Sequence, residues 1–323
     1  MPQPFRLLAL ILAFGFFNTT AIAQNWPAKP LHFIVPFAAG SATDQIARAF
    51  GAKVSEALGQ PVVVDNKPGV NGMIGASEVA RATPDGYTLL IGTNSTNAAL
   101  KSLMKSLPYD QDTAFAPVAY LGQVPLIIAV NNEMPVKTLK DLVDLAKSKP
   151  SGHILFASAS TSQLVSSEMF ANAAGIQMTN VPFKSGPDAM TNLIGGQVMM
   201  FTADFAVMLP QVKAGKVRGL AVTSANRSPV ISELPTVNEA LGIKDYELIA
   251  YFAAFAPAGT PSAVITKLNQ AFNAAASSKD LQEKFVNIGF VTEPSTPQAL
   301  ADRTKRESAK WAKAIREAHI EPQ

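Results

Sequence analysis

Candidate strands and helices alternate along almost the whole of this chain. A first apolar strand ends at Pro36-Phe37, and apolar residues then recur at helical spacing from Ile46 to Leu58. The same order of strand and helix returns in residues 62–91 and 139–223. This rhythm is typical of mainly parallel sheets covered by helices on both faces. We therefore predict an α/β fold whose ligand binds outside the C-terminal ends of the strands.

Two apolar spans, residues 118–130 and 246–255, are interpreted as crossovers between two lobes. If both spans cross between the lobes, lobe 1 is built from residues 24–122 and 252–323, and lobe 2 is built from residues 123–251. Two strands that join two α/β lobes form a hinge above a cleft. The sequence therefore predicts a two-lobed molecule that closes on a ligand.

Three turns from strand to helix are rich in small residues and hydroxyls. They cover residues 37–44, 93–97 and 158–162, and none of them contains Lys or Arg. The first backbone N–H groups of a helix lack partners and lie at the positive end of the helix dipole, so such turns favour an anion. We expect a carboxylate-like ligand held by neutral donors. Helix capping is the alternative for the first and third turns, and a solvated loop is the alternative for the second.

Two further residues are candidates outside these turns. Asp204 follows an apolar strand, and it either caps the next helix or lies in the cleft as a carboxylate that binds ligand or water. Tyr251 lies within the second apolar span, where a tyrosine is more often a core residue than a ligand contact.

The composition argues against several classes of function. The chain has no cysteine, so a disulfide, a thiolate metal site and a Cys nucleophile are excluded. Its three histidines, His32, His153 and His319, do not lie beside a loop hydroxyl, and no motif of a nucleophile, metal or nucleotide site is present. The net charge is +3 without a cluster of Lys and Arg, which argues against nucleic acid. We expect no catalytic residue, no metal and no cofactor.

The N-terminus has the pattern of a secretory signal peptide. Arg6 supplies the positive charge, residues 7–17 form an apolar stretch, and Ala21-Ile22-Ala23 fits signal peptidase. We expect cleavage after residue 23, which places the mature protein in the periplasm. The alternative is a membrane anchor, but the apolar stretch is short for a span of about 20 residues.

The motifs resemble those of the Bug-type receptors of tripartite tricarboxylate transporters. The first match is Trp26-Pro27-Ala28-Lys29-Pro30, followed by Ile34-Val35-Pro36-Phe37 with Gly40 and Thr43-Asp44. Further matching segments are residues 58–64, 65–69, 84–89, 181–184, 195–198, 214–218, 234–237 and 256–261. The likeness covers essentially the whole mature chain, in order.

The resemblance implies a periplasmic-binding-protein-like architecture of two lobes. It implies a receptor that closes on a carboxylated small molecule and presents it to the permease subunits of a membrane transporter. We expect a monomer whose ligand is a small mono- or dicarboxylate, aromatic acids included. The first and third turns would each hold a carboxyl group, partly through ordered water. The complete set of expected ligand-binding residues is Phe37, Ala39, Gly40, Ser41, Thr43, Asp44, Thr93, Asn94, Ser158, Ser160, Thr161, Ser162, Asp204 and Tyr251.

The chain also departs from the family pattern, which leaves the size and polarity of the ligand open. Ser41 stands where a second glycine is frequent, Met73 where an Asn is frequent, and Tyr251 where a Trp is frequent. The third turn has Gln163-Leu164 in place of a common His and is about two residues shorter. Two other functions stay open at this point: a sensor that signals to a membrane kinase, and a secreted hydrolase with a triad assembled by folding.

Overall fold

The computed structural model describes residues 26–322, so the expected signal peptide lies outside the described residues. Within that range the chain forms ten strands and eleven α-helices. The strands are β1 (Leu31–Val35), β2 (Val62–Asn66), β3 (Thr88–Thr93), β4 (Phe115–Asn131), β5 (Ile154–Ser158), β6 (Met178–Pro182), β7 (Met200–Asp204), β8 (Val217–Val222), β9 (Ile249–Pro257) and β10 (Val291–Thr292). The helices are α1 (Ala42–Leu58), α2 (Met73–Ala80), α3 (Leu100–Leu103), α4 (Leu139–Ser148), α5 (Thr161–Ala174), α6 (Gly186–Ile194), α7 (Phe205–Lys213), α8 (Val237–Leu241), α9 (Ser262–Ser277), α10 (Lys279–Val286) and α11 (Pro297–Glu317).

Strand β4 is the element that joins two halves of one sheet. Eight strands follow one another in the order β2-β1-β3-β9-β4-β7-β5-β6, and β8 and β10 pair with β4. The first part of β4, from Phe115 to Pro125, pairs with β9, and its last part, from Leu126 to Asn131, pairs with β7 and β8. The first expected crossover therefore falls inside one long strand. The boundaries of the two lobes stay a prediction.

The chain segment that leads from β8 back to β9 is hydrogen-bonded to β4 through one buried hydroxyl group. Thr223 follows β8, and its Oγ1 accepts a hydrogen bond from the N–H of Leu126 at 2.9 Å and donates to the carbonyl of Leu248 at 2.7 Å. Leu248 leads directly into β9. Both chain segments that pass between the halves therefore meet at Thr223.

The sheet is more mixed than the alternation of elements indicates. Among the described residues, β1 is parallel to β2 and β3, and β5 is parallel to β6 and β7. The pairs of β3 and β4 with β9, and of β4 with β7, β8 and β10, are antiparallel. The expectation of mainly parallel sheets thus holds for the outer strands of each half. The expectation fails in the centre of the sheet. Strand β9 enters the first half next to the C-terminal end of β3, so it must run antiparallel to β3.

Aromatic side chains fill the core of the first half. Phe33 of β1 stacks on Phe272 of α9 with 5.5 Å between ring centroids, and Phe50 of α1 stacks on Phe285 of α10 at 5.9 Å. All four rings are buried, and burial of such rings is the main favourable term in folding. This packing sets the N-terminus of α1 at the edge of the sheet where β1 and β3 end. Among residues 26–322, no helix has the length and apolar character needed to cross a bilayer.

Candidate functional site

Four helices begin around one small cavity between the two halves of the sheet. The starts of α1, α5, α6 and α7 all contribute, and so do the end of β3 and the beginning of β9. The cavity has a volume of about 40 Å³. Its lining residues are Phe37, Ala38, Ser41, Ala42, Thr43, Thr93, Asn94, Ser95, Ala159, Ser160, Ser162, Gln163, Lys184, Ser185, Gly186, Asp204, Val207, Ala250 and Phe252.

The first turn is held in shape by a buried aspartate. The Asp44 carboxylate accepts hydrogen bonds from the N–H of Gly40 at 2.9 Å and from Asn66 Nδ2 at 3.0 Å, and it pairs with Arg48 at 2.9 Å. Burial by itself would raise the pKa of Asp44, but the hydrogen bonds from Arg48, Gly40 and Asn66 outweigh it, and the pKa lies below its usual value. Ser41 caps α1 by accepting from the N–H of Asp44 at 3.3 Å.

The expected ligand residues of this turn therefore divide into two groups. Phe37, Ser41 and Thr43 line the cavity. Ala39, Gly40 and Asp44 do not, because Asp44 and Gly40 bond to each other within the turn. Gly40 has a left-handed φ of +80°, which favours glycine, and a Cβ there would lie 3.6 Å from Pro187 Cγ in the other half.

The second turn is buried, so its interpretation as a solvated loop is wrong. After Thr93 the chain widens into one π-helical turn, Ser95–Ala99, and such widened turns are frequent at functional sites. The N–H of Ser95 donates to Thr93 Oγ1 at 3.1 Å, and the Asn94 side chain donates to the carbonyl of Ile249 at 3.3 Å. Both expected residues, Thr93 and Asn94, line the cavity, and Ser95 joins them.

Ser162 connects the second turn to the third across the two halves of the sheet. Its Oγ donates to Asn94 Oδ1 at 3.2 Å and lies 3.4 Å from Ser95 Oγ. These neutral hydroxyl and amide groups lie next to one another at the cavity. They bring residues of both halves within hydrogen-bond distance of each other.

The remaining residues of the third turn have different surroundings. Ser160 precedes α5 without making a side-chain cap bond, so the capping alternative does not hold for it, and it lines the cavity together with Ser162. Thr161 is fully buried and lies outside the lining. Ser158 donates to Asn180 Oδ1 at 2.7 Å and lines a neighbouring cavity instead.

Asp204 is the acidic residue of the lining. It precedes α7 but makes no side-chain cap bond, so the capping alternative does not hold here either. Burial raises the pKa of Asp204 to about 6. Its carboxyl can therefore carry a proton near neutral pH, and in that form it can donate a hydrogen bond to a bound anion.

Tyr251 lies away from the cavity on the opposite face of β9. Its neighbours Ala250 and Phe252 line the cavity, and successive side chains of a strand point to opposite faces of the sheet. The Tyr251 ring packs against Tyr120, with 6.1 Å between the ring centroids. Strand geometry separates Tyr251 from its two neighbours, but residues 249–257 are apolar on both faces, so the sequence does not indicate which face meets the cavity.

Lys184 is the functional candidate that the sequence analysis missed. It lies between β6 and α6 and lines the cavity, so the lining is not made of neutral donors alone. The segment follows the same pattern as the three turns: a strand ends at Pro182, Ser185 caps α6 by accepting from the N–H of Asp188, and Pro187 stands in the first helical turn. Residues 178–188 have the sequence pattern of a fourth turn from strand to helix, and that pattern could have indicated Lys184 as a candidate.

A second, larger cavity lies beside the first. It measures about 490 Å³, and it shares Phe37, Ala159 and Lys184 with the small cavity. Its other lining residues are Pro68, Gly69, Val70, Asn71, Gly72, Ser158, Leu164, Asn180, Pro182 and Phe183. Among residues 26–322, no three acidic or histidine side chains come together as a metal site would require.

Comparison with known proteins identifies the family. Residues 46–320 match the model of the tripartite tricarboxylate transporter family receptor. Protein BugT of Bordetella pertussis is 35% identical over 321 residues, covering 97% of each chain. The solved structure of R. palustris Rpa4515 with adipate has a TM-score of 0.89 and 34% identity, covering 92% of this chain and 100% of its own.

A second solved structure is similar along nearly the whole chain. MatC from Rhodopseudomonas palustris with bound malate has a TM-score of 0.84 and 30% identity, covering 90% of this chain and 100% of its own. The family model covers the second, third and fourth turns, and the fold and the relatives agree with it. This chain belongs to the tripartite tricarboxylate transporter receptor family.

Proposed function

We propose that this protein is a periplasmic receptor that captures a small carboxylate and delivers it to the permease of a tripartite tricarboxylate-type transporter. The observation that carries the proposal is the meeting of four helix N-termini at one cavity. Free N–H groups and the positive ends of helix dipoles attract an anion without needing an arginine clamp.

The polar side chains of the lining complement these backbone donors. Thr43, Ser160 and Ser162 offer hydroxyl groups, and Lys184 offers a positive charge. Hydrogen bonds to a charged group contribute about 1.5–3 kcal/mol each. An anion bound between the halves stabilises the closed arrangement, and the permease would recognise that closed form.

The relatives support a carboxylate ligand and a periplasmic location. One solved relative is described with adipate and another with malate, and BugD is described as a periplasmic binding protein. We expect export through cleavage before Gln24. Mass spectrometry of periplasmic extract should show a chain that starts at Gln24, whereas an intact Met1 would contradict export with cleavage.

The binding function is tested by a thermal-shift screen of the mature protein against a panel of mono- and dicarboxylates. We expect carboxylates to raise the unfolding temperature and the corresponding amides to leave it unchanged. Titration calorimetry then gives the affinity, and the ligand should be recovered unchanged after incubation. Stabilisation by the amides alone, or conversion of the ligand, would contradict the receptor function.

Delivery to a permease is tested separately in cells. Uptake of the radiolabelled acid that binds best should fall when the receptor gene is deleted, and it should return with the wild-type receptor. If uptake is unchanged in the deletion strain and a membrane kinase is encoded beside the receptor gene, a sensor would be favoured over a transport receptor.

A further inference from the structure

We propose that the ligand of this receptor is an elongated carboxylate, with its carboxylate head in the small cavity and an uncharged body that extends past Phe37 into the larger side cavity. This inference rests on the proposed function and specifies the class of acid. It concerns Phe37, the loop of residues 68–72, and the part of α5 that faces them.

The two volumes indicate the division between head and body. The small cavity of about 40 Å³ has room for about three water-sized spheres, which corresponds to the three heavy atoms of a carboxylate group. The side cavity is about 490 Å³. The side cavity adjoins the small one at Phe37, Ala159 and Lys184, so it offers room for the remaining atoms of a longer acid.

Phe37 forms a wall that both cavities share. Its carbonyl accepts a hydrogen bond from Asn66 Nδ2 at 3.0 Å, which fixes the backbone of the residue. Gly72 approaches the ring closely: a Cβ on Gly72 would lie 3.4 Å from Phe37 Cζ and only 2.6 Å from Thr96 Cγ2. The left-handed φ of +92° at Gly72 also favours glycine. The ring is therefore held at the passage from one cavity to the other.

The walls of the side cavity are mainly apolar. Phe37, Val70, Leu164 and Phe183 lie on its different sides. Val70 exposes 47% of its surface although it is a large apolar residue, and its φ of +46° is unfavourable for a β-branched side chain. Strained backbone beside a cavity is typical of a functional segment.

The charges indicate which end of the acid lies where. Lys184 is the one charged residue in the lining of the side cavity, and it lies at the boundary with the small cavity. Asn180 accepts a hydrogen bond from Ser158 through Oδ1, so its Nδ2 is a neutral donor in this lining. A carboxylate deep in the side cavity would meet only the neutral amides of Asn71 and Asn180, whereas four helix N-termini and Lys184 face the small cavity. The carboxylate head is therefore placed in the small cavity, and an uncharged straight-chain or aromatic body in the side cavity.

The test is titration calorimetry with acetate, succinate, octanoate and 4-phenylbutyrate on three proteins. For the wild type we expect octanoate or 4-phenylbutyrate to bind at least about tenfold more tightly than acetate and succinate. Val70→Trp places a large ring on the wall of the side cavity and narrows it, and we expect the ratio of long-acid to short-acid affinity to fall about tenfold or more. Val63→Trp is the matched control, because Val63 is similarly exposed on β2 and lines neither cavity; its ratio should equal that of the wild type.

The two long acids separate the two skeletons. Tighter binding of octanoate indicates a straight-chain body, and tighter binding of 4-phenylbutyrate indicates an aromatic one; both results support the inference. Equal affinity ratios in Val70→Trp and wild type, or a wild type that prefers succinate, would overturn it and leave the proposed function intact. Binding of none of the carboxylates would refute the proposed function itself and this inference with it.

Discussion

Under the proposed function, single charged groups at this cavity would set how strongly an anion is held. Asp204 opposes an anion when it is ionised and can donate to it when it is protonated, whereas Lys184 attracts the anion in either case. Neutral hydroxyls such as that of Thr43 add directional bonds that salt does not screen. Each of these contributions has its own dependence on pH or ionic strength, so they can be separated by experiment.

Replacing Asp204 should remove the pH dependence of binding. Because burial raises the pKa of Asp204 to about 6, a bound anion favours the protonated form, and wild-type affinity should rise by up to about tenfold per pH unit as the pH falls from about 7.5 towards 6. Asp204→Asn should show a flat profile with an acid that stays ionised throughout. Lys184 is present in both proteins, so the difference in slope reports on Asp204. Parallel pH profiles would contradict this role.

The same substitution should change the pH dependence of stability. The pKa of Asp204 rises from the ordinary 3.8 to about 6 on folding, so the folded state binds more protons and loses stability as the pH rises through that range. The loss amounts to at most about 3 kcal/mol. Urea unfolding should therefore find Asp204→Asn more stable than the wild type at pH 8 and nearly equal to it below pH 4. Equal stability at pH 8 would show that the carboxyl is better solvated than its position indicates.

Salt should distinguish the charge of Lys184 from the neutral donors. Lys184 is exposed, so Lys184→Gln should weaken binding by about fivefold at low ionic strength and much less at high ionic strength. Thr43→Ala removes a buried hydroxyl and should cost about 1.5–3 kcal/mol at every salt concentration. Lys147→Gln, which makes the same change at an exposed site outside the lining, serves as the control. A salt-independent loss in Lys184→Gln would contradict a long-range charge effect.

At the scale of elements, a capping side chain in the local sequence marks where five of the helices start. The pattern Thr236-x-x-Glu239 predicts a capping box, and both of its bonds form at the start of α8. Helix α1 is similar, with Ser41 as its cap and Asp44 holding the preceding turn. The first turn is therefore held in shape by its own hydrogen bonds, which would lower the entropy that binding costs.

Loss of the Asp44 carboxylate should loosen the first turn and destabilise the fold. Asp44→Asn removes the ion pair with Arg48 and weakens bonds inside a buried turn, so we expect a loss of about 1.5–3 kcal/mol in urea unfolding at neutral pH. Because the pKa of Asp44 is lowered on folding, this contribution is present above the ordinary pKa and disappears as the pH falls through the lowered one. Asp144→Asn breaks an exposed pair with Lys140 and should cost less than about 0.5 kcal/mol. Equal losses in the two variants would contradict the role of Asp44.

At the scale of the whole molecule, the proposed closure depends on contacts between the two halves. Ser162 bonds to Asn94 across the cavity, while Thr223 ties together the two segments that pass between the halves. The contact at the cavity is made by a few neutral groups, whereas the segments near Thr223 belong to a continuous sheet. Opening at the cavity with bending near Thr223 is therefore the motion we expect.

Small-angle scattering should detect this motion. A saturating ligand that contacts both halves favours the closed form, so the radius of gyration should fall on binding. Ser162→Ala removes the direct contact, and its unliganded radius should be equal to that of the wild type or larger. An unchanged scattering curve, with binding demonstrated by calorimetry, would contradict the hinge.

The sequence by itself determined the elements, the helix starts, the family and most of the turn residues of the cavity. These features depend on neighbours along the chain: an apolar run, a hydroxyl at the cap position, a carboxylate three residues later. Eight of the expected residues line the small cavity: Phe37, Ser41, Thr43, Thr93, Asn94, Ser160, Ser162 and Asp204.

Only the tertiary structure decided which turns meet and which side of a strand faces the cavity. The antiparallel insertion of β9 between β3 and β4 directs Ala250 and Phe252 to the cavity and Tyr251 away from it. Lys184 enters the lining because β6 and β5 are parallel neighbours whose ends lie side by side. Pairing between strands far apart in the chain depends on the packing of both partners and on closing long loops, and no local pattern encodes that choice.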